Sequence, residues 1–183
     1  DLDENDKINF YKGDSLVFKN FDNNLSVLFV FASHTKDLSI KFEGVSFSHS
    51  LNAVLSTCYN GYYLDLYFDY VEFEANLNGG IDIHYTGDDN TNLFINHSLF
   101  KYNATGIHGE RVSLLEIKNT KFEDNIIPIY IFDTSNECYG VMDSISVIGN
   151  LRGSQLPMNL TISNSSFESN GSSFVSTGSS LLY

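Results

Sequence analysis

The sequence predicts an all-β chain wound as a right-handed parallel β-helix, a solenoid of about seven coils. Three observations predict it. A bulky apolar residue recurs about every two dozen residues with Asn three positions later. Two further apolar residues stand seven and five positions before most of these markers. The chain also carries 15 Phe and 11 Tyr against only 2 Pro, a composition that favours strands.

The markers are Phe21 with Asn24, Phe73 with Asn76, Phe100 with Asn103, Phe122 with Asn125, Val147 with Asn150 and Phe167 with Asn170. Phe47 with Ser50 fits with one substitution. The steps between markers are 26, 26, 27, 22, 25 and 20 residues, the length of one turn of a β-solenoid. The upstream pairs are Ile40 and Phe42, Leu66 and Phe68, Leu93 and Ile95, Leu115 and Ile117, Leu160 and Ile162. A spacing of two puts both side chains on one face of a short strand. The first and sixth frames fit this pair poorly. Apolar residues follow the Asn as well: Val54 and Leu55, Ile81 and Ile83, Ile129 and Ile131, Phe174 and Val175. Each coil therefore reads as strand, turn, Phe-bearing strand, Asn turn, third strand.

One coil alone cannot bury its inward side chains, so coils must stack, at about 4.8 Å each. Stacking is expected to align Phe47, Phe73, Phe100, Phe122 and Phe167 as a column. Asn76, Asn103, Asn125, Asn150 and Asn170 are expected to form a ladder of buried amides, each satisfied by the next.

This coil pattern resembles the pectin-lyase-like superfamily of right-handed parallel β-helices over nearly the whole chain. The segment Phe73-Glu74-Ala75-Asn76-Leu77-Asn78-Gly79-Gly80-Ile81 also resembles the FxxN and GGA[ILV] repeats of chlamydial polymorphic outer-membrane adhesins. The resemblance implies a solenoid used for adhesion or for work on polysaccharides.

A net charge of −13, from 23 acidic and 10 basic residues, disfavours nucleic acid and anionic membranes as partners. No apolar run is long enough for a membrane-spanning helix. Six Asn-x-Ser/Thr sequons, at Asn24, Asn96, Asn103, Asn159, Asn164 and Asn170, point to a secreted or cell-surface glycoprotein. Asn24, Asn103 and Asn170 fall on the expected ladder, where a glycan does not fit. Asn96, Asn159 and Asn164 are therefore the expected carriers of N-linked glycans. Cys58 and Cys138 lie about three coils apart, too far for a mutual disulfide unless loops fold back.

Catalytic candidates come from a resemblance to polygalacturonase-like hydrolases. Gly87-Asp88-Asp89 resembles their Gly-Asp-Asp segment and Gly106-Ile107-His108-Gly109 their Gly-His-Gly segment. Asn78-Gly79-Gly80-Ile81-Asp82 resembles the region of their Asn-Thr-Asp segment, with Gly79 where its Asp would stand. Ile107 splits the glycine–histidine motif, and no Arg-Ile-Lys follows. Asp82, Asp88, Asp89 and His108 are thus the residues on which an acid–base site would rest, and a polar turn with a surface histidine is the favoured alternative. Asp65, Asp69, Glu72 and Glu74 are dense enough for a loose Ca²⁺ site of the lyase kind, against a solvated acidic face. No metal or cofactor is expected. Tyr62, Tyr63, Tyr67 and Tyr85 are candidate stacking platforms for extracellular carbohydrate.

Residues 1–183 read as a single β-helix domain, a segment of a longer chain or a filament subunit. The expected partners are other copies joined end to end, or further coils of the same chain. The expected role is an extracellular structural or adhesive module, with a carbohydrate-active enzyme or a glycan-binding module as the alternative.

Overall fold

The computed structural model describes residues 15–19, 22–24, 29–33, 38–50, 52–58, 63–85, 90–110, 112–132, 139–156, 159–168, 171, 175–176 and 180–182. The strands run in repeating threes. First come β1 (Ser15–Lys19), β2 (Asp22–Asn24) and β3 (Phe29–Ser33). Then follow β4 (Leu38–Glu43), β5 (Ser46–Ser48) and β6 (Asn52–Cys58), and β7 (Tyr63–Asp69), β8 (Glu72–Glu74) and β9 (Gly79–Tyr85). The next two sets are β10 (Asn90–Asn96), β11 (Leu99–Lys101) and β12 (Thr105–Glu110), then β13 (Val112–Lys118), β14 (Lys121–Glu123) and β15 (Ile127–Phe132). The last are β16 (Tyr139–Asp143), β17 (Ser146–Ile148) and β18 (Gln155–Leu156), β19 (Asn159–Ser163), β20 (Ser166–Glu168) and β21 (Val175–Ser176), and finally β22 (Ser180–Leu182).

Every third strand joins the same sheet, and every pairing is parallel. The first sheet orders as β1-β4-β7-β10-β13-β16-β19-β22, the second as β2-β5-β8-β11-β14-β17-β20, the third as β3-β6-β9-β12-β15-β18-β21. This is an all-β parallel solenoid, with no helix among the described residues. About four turns, β7 to β18, form its body, against the seven expected, and the outlying strands continue the three ladders on either side.

The alternation read from the sequence explains which side chains face in. In β7, Leu64, Leu66 and Phe68 are buried while Asp65, Tyr67 and Asp69 face outward. Phe47, Phe73, Phe100 and Phe122 stack with ring centroids 5.2, 4.7 and 4.8 Å apart. Phe42 and Phe68 add a shorter stack at 5.2 Å, set edge-on to the first column. Each wholly buried Phe contributes about 2 kcal/mol from burial alone. Val147 continues the column beyond Phe122. Phe167 keeps the register over Val147 but is 38% exposed, so the buried column ends before it.

The first frame corrects the sequence reading. Asn23, not Phe21, pairs with Phe47, while Leu16 and Phe18 pair with Ile40 and Phe42. Asn24 accordingly registers with Ser48, two positions short of the ladder. Phe21 lies outside the described residues. In the sixth frame Gly140 and Met142 take the upstream positions, against Leu115 and Ile117.

Two tight turns shape each coil. Gly44, Tyr70, His97, Asn119, Ser144 and Asn164 adopt left-handed backbone at the first turn, and His49, Ala75, Tyr102, Asp124 and Gly149 at the second. Nine of these are not glycine, with φ from 47° to 58°. That conformation costs of order 1 kcal/mol for most L-residues. Stacking compensates: from Gly44 to Gly149 each turn's N–H donates to the next coil, as from Tyr70 to the Asn96 carbonyl at 3.1 Å and from Ala75 to the Lys101 carbonyl at 2.9 Å.

Candidate functional site

The second turn delivers the Asn ladder. Asn76, Asn103, Asn125 and Asn150 are each 1% exposed. Nδ2 of Asn76 donates to Oδ1 of Asn103 at 2.8 Å, Asn103 to Asn125 at 3.0 Å, and Asn125 to Asn150 at 3.0 Å. The second Nδ2 hydrogen goes back one coil, to the carbonyls of Phe47, Phe73, Phe100 and Phe122 in turn. Each Oδ1 also accepts a main-chain N–H from the coil before, with Ser50 donating to Asn76 at the start. The amides are thus bonded on both sides, which is what lets them be buried. Asn170 lies outside the described residues.

A second internal ladder escaped the sequence reading. Two positions before each marker from Phe47 onward stand Val45, Val71, Ser98, Thr120, Ile145 and Ser165. The hydroxyls among them accept the N–H one coil back, from Val71 to Ser98 at 3.1 Å, Ser98 to Thr120 at 3.3 Å and Ile145 to Ser165 at 3.2 Å. Each donates to the carbonyl two residues earlier, as Thr120 does to Lys118 at 2.7 Å. Its signal in the sequence is a fixed offset at which, from Val45 onward, a β-branched or hydroxyl residue falls.

The strongest chemical constellation on the third sheet joins two of the catalytic candidates. Asp82 on β9 and His108 on β12 are register partners, with Nδ1 of His108 2.7 Å from Oδ1 of Asp82. Asp82 is only 7% exposed although its position faces away from the Ile81 and Ile83 core side. The His108 ring stacks on Tyr130 at 5.7 Å and tilts against Phe132 at 5.3 Å. The hydrogen bond to Asp82 raises the imidazole's affinity for its proton. Burial opposes this, and the negative charges of Asp82 and Glu110 add to it. Such a pair can hold and pass a proton. Asp88 and Asp89 lie outside the described residues. The glycines flanking His108 have a packing reason. A Cβ on Gly106 would sit 2.4 Å from the Pro128 carbonyl oxygen and 3.2 Å from the Phe122 ring, and one on Gly109 3.0 Å from Val112.

The outer face of the first sheet carries an open groove of about 750 Å³. Tyr67 and Phe94 stack in its floor at 4.6 Å, one rung apart. Around them Lys41 pairs with Glu43 at 3.1 Å and with Asp69 at 3.7 Å, Asn96 donates to Asp69 at 3.2 Å, and Lys118 bonds Glu116. Burial, then the charges of Asp65 and Glu116, keep the Tyr67 phenol protonated above its ordinary range. Tyr63 is half exposed, Tyr62 lies outside the described residues, and nothing is described of the Tyr85 side chain. The acidic candidates are divided: Asp65 bonds Asn92 at 2.8 Å on the first sheet, while Glu72 and Glu74 belong to the second. Among the described residues no three His, Cys, Asp or Glu side chains are grouped to hold a metal ion.

The sequons separate by environment. Both amide hydrogens of Asn103 are engaged inside the ladder. Asn159 and Asn164 are exposed. Asn164 uses one amide hydrogen, donated to Asp143 at 2.8 Å. With the shorter bond from the Ser163 hydroxyl, this holds the Asp143 carboxyl below its usual range. Asn96 is half-buried between Asp69 and Asn119. The side chain of Cys58 is not described, and Cys138 lies outside the described residues.

Comparisons of the chain with protein-family models, with curated proteins and with solved structures give no match.

Proposed function

We propose that this chain is an extracellular, glycosylated structural or adhesive module, a stiff solenoid that forms part of a surface fibre or filament. The observation that carries the reading is the unbroken row of bonded amides from Asn76 to Asn150 beside the Phe47 to Phe122 column. Such rows spread stability evenly over neighbouring coils and let a solenoid grow by adding coils or copies. A pectin-lyase-like, right-handed winding is the proposed form, supported by the Asn turn that follows each central strand and by the strong right-handed preference of parallel crossovers. Other copies, further coils and N-linked glycans are its proposed partners.

A glycan-binding or carbohydrate-active role is the second reading. The Tyr67–Phe94 stack in a groove edged by carboxylates and amides favours it, because sugar rings stack on aromatic faces and bond such groups. The two readings separate in one experiment. The protein is produced through a eukaryotic secretory route. It is then imaged by electron microscopy and incubated with polygalacturonate and with neutral polysaccharides. The structural reading expects sugar-bearing rods or fibres and no release of reducing ends. Release that disappears in Asp82→Asn and His108→Gln would replace it with an enzyme.

A further inference from the structure

A third row, apolar and exposed, runs beside the ladder. Leu77, Ala104, Ile126 and Leu151 each follow a ladder Asn. Their N–H groups donate to the carbonyls of Ser50, Asn76, Asn103 and Asn125 at 2.8, 3.2, 2.9 and 2.9 Å, so the four stand one above another on successive rungs. Leu77, Ile126 and Leu151 are 71%, 45% and 64% exposed, and Tyr102, also exposed, lies alongside. Exposed apolar side chains aligned in one row and rimmed by charges offer an interaction surface.

We propose that this ridge pairs with the same ridge of a second copy, antiparallel, about a two-fold axis crossing midway between Ala104 and Ile126. Such a contact is isologous, so each pairing occurs twice. Leu77 then meets Leu151 of the second copy, and Ala104 meets Ile126 of the second copy, small against large. The flanking rows match under the same axis. One row holds Glu74, Lys101, Glu123 and Ile148, register neighbours along the second sheet. The axis sets Lys101 against Glu123 of the other copy. The turn row sets the Tyr102 hydroxyl against the Asp124 carboxylate, and on the far side Asn78 faces Arg152. A parallel pairing puts Ala104 against Ala104 and does not bring Lys101 to Glu123.

The self-matching rows select a second copy as the occupant, and the meeting of Lys101 with Glu123 selects the direction. Two chains of net charge −13 repel at long range. Opposite charges placed at the contact are what an approach between copies requires. The ridge spans three rungs, about 14 Å, so the interface is small and the dimer weak and reversible. The pairing goes beyond the structural reading above and fails separately from it, because it concerns the flank of the coils and not their glycans or their ends.

Sedimentation velocity of the whole chain, up to about 1 mM, tests it. The wild type is expected to show a reversible monomer–dimer equilibrium. Ile126→Asp and Leu151→Asp, both at exposed positions, are each expected to weaken it by about tenfold or more. Lys101→Glu is expected to weaken it too, and Lys101→Glu combined with Glu123→Lys to restore it. Thermal melts check that every variant is folded, and Leu77→Asp replaces any that is not. A wild type that stays monomeric overturns the proposal. So does association indifferent to the ridge substitutions, or a charge reversal that its partner reversal does not rescue.

Discussion

Nδ2 of Asn103 lies 3.0 Å from Oδ1 of Asn125, and the same oxygen accepts the main-chain N–H of Asn103, also at 3.0 Å. One amide thus closes two bonds between coils whose residues are 22 apart in sequence. Asn103→Ala would strip the bond from the Asn76 amide, and with it the donor to the Phe73 carbonyl. Leaving these buried groups unpaired costs about 3 kcal/mol. Urea unfolding should read a loss of that order, and Asn103→Asp should not recover it, because a carboxylate has no hydrogen to donate.

Gly106→Ala is expected to destabilise the chain by about 1–3 kcal/mol, through overpacking. The added methyl would fall 2.4 Å from the Pro128 carbonyl oxygen and against the Phe122 ring. A lowered melting temperature measures it. Phe122→Leu in the same chain should recover part of the contact with the ring and none of that with the carbonyl.

His108 binds its proton more tightly folded than unfolded, chiefly because Asp82 accepts its N–H. A raised pKa contributes stability that is fully present below the unfolded value, about 6.5. That stability is lost as pH rises through the folded value. The melting temperature of His108→Gln should therefore fall furthest below wild type near pH 5.5, and the gap should narrow by pH 8.5.

Glycan mapping of the chain from a eukaryotic secretory host should find sugar at Asn159 and Asn164 and none at Asn103. Both amide hydrogens of Asn103 are committed inside the ladder, whereas exposed Asn164 commits one. Sugar on Asn103 of folded protein would contradict the ladder itself.

The parallel solenoid was legible because stacking demands like residues at like positions, and the Phe and Asn markers repeat with little drift. The first coil misled because Phe21 and Asn24 have the right spacing by themselves. Leu16 and Phe18, which stand seven and five residues before Asn23, carried the true register. Gly140 in place of a bulky residue hid the sixth frame in the same way. The hydroxyl ladder through Ser98, Thr120 and Ser165 was obscured because Val45, Val71 and Ile145 share its position, and an inward turn accepts either kind. The pairing of Asp82 with His108 follows from the register of β9 and β12, although the sequence suggested both residues through a motif set that is split at Ile107 and lacks its Arg-Ile-Lys segment.

The most direct measurement of the stacking is a distance along one outward row. Ser39, Asp65, Asn92, Leu114, Tyr139 and Asn159 are successive register partners. Spin labels at positions 39 and 159, with Cys58 and Cys138 replaced by Ser, should give a narrow electron–electron distance near 24 Å, five rungs of about 4.8 Å. A broad distribution, or a separation far from that value, would contradict the coil stack.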